Sequence, residues 1–350
     1  MAHQGKTAFV TGVTGQDGAY LAELLLGHGY RVLGLRRGNS AHDLARLEWV
    51  GVLDDVELVS GDLGDENCLA RLIRDHQPDE VYNLAAQSFV GSSWDSPFAT
   101  SDTNAMGTLR LLDAVRSYSP HSKFYQASTS ELFGEVRETP QNEMTPLNPR
   151  SPYGVSKAFG HYMTRNYRES FGLHASSGIL FNHESPLRGL SFVTRKISAG
   201  LAQYKAGVGG PVSLGNLDAQ RDWGYAKEYV EGMWLMLQQP EADDYVLGTG
   251  RLASVRDFCS ATAQALEIDV DWSGEGIAEE GRDRSNGEVV FKVDPRFFRP
   301  AEVELLLADP SKAEQQLGWK AQTDYRELAV LMAEADIAAA GRAGTRVDSR

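Results

Sequence analysis

The chain has 350 residues, of which 42% are hydrophobic and 23% charged, and its formal net charge is −14. That length can bury a large core in about two ordinary domains, while the acidic balance excludes broad binding to nucleic acid or anionic membranes, so an anionic ligand has to be held by local groups. Cys68 and Cys259 lie far apart without metal-ligand spacing, the 8 histidines form no ligand cluster, and no signal-peptide core or bilayer-length apolar run is present, so a cytoplasmic protein without disulfides or a metal site is expected.

Thr7 to Val10 reads as the first strand, followed by TGVTGQDGAYLAELLL, in which Gly12, Gly15 and Gly18 form GxxGxxG ahead of an apolar-periodic helix. Glycine there lets backbone approach a pyrophosphate, and the helix N-terminus favours the anion. Cofactor contacts are expected at Gly12, Thr14, Gly15, Gln16, Asp17 and Gly18. The second strand, Arg31 to Leu35, ends at Arg36 and Arg37, where a free ribose 2′-hydroxyl usually meets an acidic residue. Two guanidinium groups suit a 2′-phosphate, so NADP is favoured over NAD.

The third strand, Val56 to Ser60, leads into Asp62 and Leu63; the fourth, Glu80 to Leu84, leads into Ala85, Ala86, Gln87 and Ser88. Ligands in open parallel sheets sit at such carboxyl ends. The fifth, Lys123 to Ala127, runs into Ser128-Thr129-Ser130-Glu131, which also matches a capping box. The alternation of strands with amphipathic segments predicts a Rossmann-type, doubly wound parallel α/β sheet. In SPYGVSK, Tyr153 and Lys157 are four apart and share a helix face, so the ammonium is expected to lower the phenol pKa and make Tyr153 a usable base.

Beyond Leu180 the pattern loosens into a smaller α/β lobe with helices near 192–205 and 226–238 and an acidic, Gly-rich insertion, 273–288, expected as a flexible loop. The expected division is 1–180 for the nucleotide domain, with segments around 215–240 returning to it, 181–340 for the substrate domain, and 341–350 as a flexible tail.

TGVTGQDGAYLAELLL, NLAAQSFVGSSW, FYQASTSELFG, PRSPYGVSK, GILFNHESPLRG, FVTRKI, LGNLDAQRDWG and FFRPAEVELLL occur in one order across nearly the whole chain. Together they closely resemble the GDP-mannose 4,6-dehydratases, within the extended short-chain dehydrogenases/reductases. The resemblance implies that Asp62 reaches the adenine amino group, that the segment from Leu84 to Ser88 lies along the nicotinamide ribose, and that His183 and Arg188 touch the cofactor. It implies Thr129, Glu131, Tyr153 and Lys157 as the catalytic set. Ser88, Asn182, Val193, Lys196, Leu214, Gly215, Arg221, Arg299 and Glu302 would hold the nucleotide sugar. The implied reaction oxidises C4 of GDP-mannose, eliminates water across C5 and C6, and returns hydride to C6.

The stretch after Arg37 lacks an insertion found in many members, which leaves homodimer and homotetramer both open. Three rivals also stay open: the same chemistry on another GDP-sugar such as a GDP-heptose, an epimerase or 4-reductase with no use for a base at Glu131, and a catalytically silent NADP-binding protein.

Overall fold

The computed structural model describes residues 5–38, 44–297 and 305–347. In the first half, strands and helices alternate: β1 (Thr7–Thr11), α1 (Gln16–Gly27), β2 (Arg31–Arg36), α2 (Ala45–Trp49), β3 (Glu57–Ser60), α3 (Glu66–His76), β4 (Glu80–Asn83), α4 (Pro97–Ser101), α5 (Gly107–Tyr118), β5 (Lys123–Thr129), α6 (Pro152–Phe171) and β6 (Ala175–Leu180). The second half adds β7 (Asn182–Glu184), α7 (Val193–Lys205), β8 (Val212–Leu214), β9 (Gln220–Arg221), β10 (Trp223–Tyr225), α8 (Ala226–Gln238), β11 (Asp244–Leu247), β12 (Ala253–Ser254), α9 (Val255–Ala265), β13 (Val270–Ser273), β14 (Glu280–Asp283), β15 (Val289–Val293), β16 (Leu305–Leu306), α10 (Ser311–Leu317) and α11 (Tyr325–Val347).

Seven strands pair in the order β11-β6-β5-β4-β1-β2-β3, all parallel. The order reverses between β1 and β4, which is the switch point where such a sheet opens a crevice for ligands. Side chains alternate across the strands, so Phe9, Leu33, Val81 and Phe124 pack with α3 and α5 on one face, while Val10, Val32, Tyr82 and Tyr125 pack with α1 and α8 on the other. A separate core joins α7, α9 and α11 to β8 and β15 through Ile197, Leu201, Phe258, Phe291 and Met332.

Three expectations change. The main sheet draws its seventh strand from Asp244–Leu247, beyond the 215–240 segments expected to return to it; α8, which lies within those segments, packs on α1, with Lys227 paired to Glu23. The 273–288 insertion is not a loose loop: it carries β14 and part of β13 in a four-stranded sheet, turned at Gly274 and Gly276, both at positive φ. Its Glu279 accepts two hydrogen bonds from the Arg256 guanidinium, at 2.8 and 2.9 Å, which fixes a stretch whose composition alone reads as solvated. The closing helix reaches Val347, into the stretch expected as a tail.

α6 carries the site. Ser151 caps it by accepting from the Gly154 N–H at 3.0 Å, Pro152 opens its first turn, and Gly172 ends it at φ 66°.

Gly18 admits no side chain: a Cβ there would stand 2.2 Å from the Gly12 carbonyl oxygen and 2.6 Å from the Val13 Cα. Gly27 has open space instead. In urea denaturation, Gly18→Ala is expected to lose about 2 kcal/mol or more, because backbone on both sides has to move. Gly27→Ala is expected to keep or raise stability through helix propensity. Equal effects would show that the loop yields more easily than its packing implies.

Candidate active site

The Gly-rich turn leaves β1 at Gly12, where a φ of +70° and the 2.8 Å that would separate an added Cβ from the Ala85 nitrogen exclude a side chain. Thr11 fixes that approach, donating to Asn83 Oδ1 and accepting from the Leu84 and Ala85 N–H groups at 3.1 and 3.0 Å. Gly15 is the N-cap of α1 and offers no side-chain acceptor, so the first amides of the helix point into the crevice. This cradle fits a dinucleotide pyrophosphate.

Gln16 and Asp17 turn away from the loop towards β7. Gln16 donates to the His183 carbonyl and accepts from Ser185 Oγ; Asp17 Oδ2 is 2.9 Å from His183 Nε2. Burial opposes a charged Asp17, but the His183 imidazolium, the Gln16 amide and Arg188 outweigh it and hold the carboxyl at about 2. Burial likewise opposes a charged His183, and Asp17 outweighs it, raising the imidazole above its ordinary value. The pair cancels a negative charge that would stand beside a bound phosphate.

At the neighbouring strand ends, Arg37 is 83% exposed with its Nε 3.9 Å from Asp62 Oδ2, and Asp62 Oδ1 accepts from the Gly64 N–H at 2.7 Å. Arg36 ends β2, one residue past the partner of Thr11. The side chain of Leu63 is buried in the sheet core against Gly107, so a ligand would meet its backbone. Leu84, Ala86 and Ser88 line the cleft. The side chain of Gln87 departs from that wall, donating to the Phe89 carbonyl and Ser92 Oγ, and Ala85 faces Gly12.

The catalytic candidates meet on one wall of a cleft of about 850 Å³, which Thr129, Glu131, Tyr153 and Lys157 all line. The capping box between Ser128 and Glu131 does not form. Thr129 instead caps a 3-10 turn, Ser130–Leu132, accepting from the Glu131 N–H at 3.3 Å, while Ser128 Oγ lies 3.1 Å from His161 Nδ1. Lys157 Nζ donates to the Ala127 carbonyl at 2.8 Å and sits 6.0 Å from the centre of the Tyr153 ring.

The expected acidification of Tyr153 is not seen in the protein alone. Burial pushes the phenol up to about 12; a hydrogen bond with Thr129 works against that and the Glu131 carboxylate adds to it. Burial also draws Lys157 down to about 8. Desolvation is the largest cause for both groups, which are nearly out of water.

The opposite wall comes from the second lobe. Asn182, Val193, Lys196, Leu214, Gly215 and Arg221 line it. Lys196 Nζ rests 3.3 Å from the centre of the Phe297 ring, and Arg188 stacks 3.6 Å from that of Phe192 while its Nε lies 3.0 Å from Glu184 Oε2. Arg299 and Glu302 lie outside the described residues. Phe297, the first residue of FFRPAEVELLL, and Arg296 before it reach the cleft from the segment after β15; Asn104 lies behind the wall, accepting from the Gln87 N–H and donating to the Gln87 carbonyl and Ser156 Oγ.

A family model described as GDP-mannose 4,6 dehydratase matches residues 9–332. The GDP-mannose 4,6-dehydratase of Sinorhizobium fredii (strain HH103) is 51% identical over 95% of this chain and 97% of its own length. That of Vibrio cholerae is 49% identical over 96% of this chain and 95% of its own. Among solved structures, the dTDP-glucose 4,6-dehydratase DesIV from Streptomyces venezuelae, with NAD and TYD bound, superposes with a TM-score of 0.81 over 96% of this chain and 98% of its own, at 23% identity; that likeness speaks for the fold.

The Asp17 and His183 pair makes stability depend on pH in both directions. The depressed carboxyl contributes above its ordinary value and loses that contribution as pH falls towards about 2; the raised imidazole contributes below its ordinary value and loses it as pH rises through the folded one. The full contribution therefore spans 3.8 to 6.5. In thermal melts, His183→Asn is expected to be less stable in that window and to lose the alkaline decline shown by the parent protein. An alkaline slope identical in both proteins would refute the pairing.

Proposed function

The chain belongs to the GDP-mannose 4,6-dehydratase family and is a nucleotide-sugar hydro-lyase; from that premise we propose that it converts GDP-mannose to GDP-4-keto-6-deoxymannose and water with the side chains of the cleft in the roles below. The observation that carries the roles is the meeting of a carboxylate, Glu131, with Thr129, Tyr153 and Lys157 on one wall. Oxidation at C4 alone needs only the latter three.

A nicotinamide dinucleotide bound on the Gly12–Gly18 cradle supplies a hydride acceptor for C4 and a donor for C6. Tyr153 takes the proton of the C4 hydroxyl as that carbon is oxidised, and Thr129 hydrogen-bonds the oxygen as charge changes on it. Lys157, anchored on the Ala127 carbonyl, would orient the ribose, and its ammonium form favours the tyrosinate. The 4-ketone acidifies the C5 hydrogen. Glu131 removes that proton and returns it to the departing C6 hydroxyl, so water leaves as the C5–C6 alkene forms. With C6 reduced, Tyr153 or solvent protonates C5, and the sugar product together with water is at the same oxidation level as the substrate. Lys196 and Arg221 neutralise the diphosphate within an acidic chain.

The finer reading of the cofactor is NADP, supported by Arg36 and the exposed Arg37 guanidinium at the end of β2. A homo-oligomer is supported by Phe98, Met106, Val155 and Phe159, large apolar side chains left exposed on neighbouring helical segments. No helix among the described residues is long and apolar enough to cross a membrane, which accords with a cytoplasmic enzyme.

Incubation with GDP-mannose in deuterated water, without stoichiometric cofactor, is expected to give a 6-deoxy-4-keto sugar with deuterium at C5 by NMR. No conversion, together with turnover of a GDP-heptose, would move the substrate assignment. Glu131→Gln is expected to lower product formation by about a hundredfold or more while transient reduction of the nicotinamide persists; elimination at the normal rate would remove Glu131 from its role.

Replacing Arg36 and Arg37 together by Ala is expected to lower the preference for NADP over NAD by about tenfold or more, roughly 1.4 kcal/mol. An unchanged ratio of dissociation constants would place the 2′-phosphate elsewhere.

A further inference from the structure

The end of β5 meets α6 through three consecutive residues. The Ala127 carbonyl accepts from Lys157 Nζ at 2.8 Å, Ser128 Oγ lies 3.1 Å from His161 Nδ1, and Thr129 shares a hydrogen bond with Tyr153. Their partners, 153, 157 and 161, are four apart on one helix face. Two of these three contacts belong to the catalytic wall. The middle one has no assigned part in the chemistry, although Ser128 also lines the cleft.

His161 is buried between elements. Its Nε2 faces Asp244 of β11 at 4.0 Å, and Asp244 is committed to Arg168, which donates to both carboxylate oxygens at 3.0 and 2.9 Å. Lys312 donates to the Asp244 carbonyl and Arg165 lies on the same helix as His161, so the charges around the ring are one carboxylate and several cations. Burial is the main cause that holds the imidazole below its ordinary pKa, with Arg168 and Arg165 adding to it and Asp244 opposing. A neutral ring has one N–H. Directed at Nε2 towards Asp244, it leaves the Nδ1 lone pair to accept from the Ser128 hydroxyl, whose oxygen then presents only acceptor character to the cleft.

We propose that His161 is a positioning residue for the dehydration, acting through Ser128 to fix the hydroxyl direction and the register of Thr129 against Tyr153, and that its protonation reverses the polarity of Ser128 in the cleft wall. The proposal rests on the assignment of Thr129 and Tyr153 to C4 chemistry. A protonated ring carries N–H at both nitrogens, so Ser128 has to accept from Nδ1 and turn its own hydrogen towards Thr129 or the sugar.

The test compares steady-state rates on GDP-mannose, from acidic to mildly alkaline pH, for the parent enzyme, Ser128→Ala, His161→Phe, His161→Asn and the double variant Ser128→Ala/His161→Phe. Ser128→Ala removes the hydroxyl with little disturbance to packing and covers the case in which His161→Phe fails to fold. Ser128→Ala and His161→Phe are each expected to lower kcat by roughly tenfold to a hundredfold with KM nearly unchanged, and the double variant to lose no more than either alone. His161→Asn keeps an acceptor near Nδ1 but cannot titrate, so it should recover much of the kcat lost in His161→Phe and shift the acid limb of the pH profile to lower pH. Full kcat in Ser128→Ala, multiplying losses in the double variant, or an unmoved acid limb in His161→Asn would each overturn the proposal. Failure of the parent enzyme to convert GDP-mannose would strike the substrate assignment instead.

Discussion

The ion pair between Asp17 and His183 is the constraint on which the site depends. It joins the first turn of α1, in the nucleotide-binding half, to β7, the first strand past the main sheet, across 166 positions of sequence. Gln16 doubles the connection through the His183 carbonyl and Ser185. The glycine-rich loop and the strand that begins the second wall of the cleft therefore share one buried, charge-compensated joint. A loose joint would let the two cores drift, and the distance between cofactor and sugar with them. A neutral apolar pair could pack there, but it would not fix direction as a hydrogen-bonded ion pair does.

The catalytic wall depends on burial that works against its own chemistry. Tyr153 and Lys157 are nearly dry, and dryness disfavours the charged form of each. The phenol is thus a poor base before ligands arrive. In a closed, low-dielectric site the same dryness strengthens every charge placed beside it, so base strength is tied to occupancy. The Glu131 carboxylate raises the phenol further.

Much of this was legible in sequence because the signals are local. The spacing of Gly12, Gly15 and Gly18, the four-residue step from Tyr153 to Lys157, and the alternation of strands and helices each report on a few neighbouring residues, and each has its expected backbone. What stayed hidden involves partners far along the chain. Nothing near Asp17 announces His183, and nothing near Ser128 announces His161 or Asp244. Strand-end position does not say which way a side chain turns: that of Leu63 enters the core and that of Gln87 folds onto its own loop. The 273–288 segment misled through composition, since its order comes from Arg256 on another element. Lys157 and Tyr153 were paired correctly in space, but the sign of the phenol shift required knowing how much water the fold removes.

The run from Pro97 to Tyr118 carries one more feature. Between α4 and α5, residues Asp102–Met106 form a wide turn in which the Gly107 N–H reaches back five residues to the Asp102 carbonyl. Such a turn holds one residue more than a regular helix has room for, and Asn104 sits within it, bridging Gln87 and Ser156. The helix thus behaves as a vernier: its two halves are each regular, but their scales are offset, and the offset aims Asn104 beneath the cleft. Shortening the run by one residue would give a straighter helix with better backbone bonds and would rotate one half against the other by about 100°. The irregularity is what lets a single helix serve both the sheet and the floor of the site.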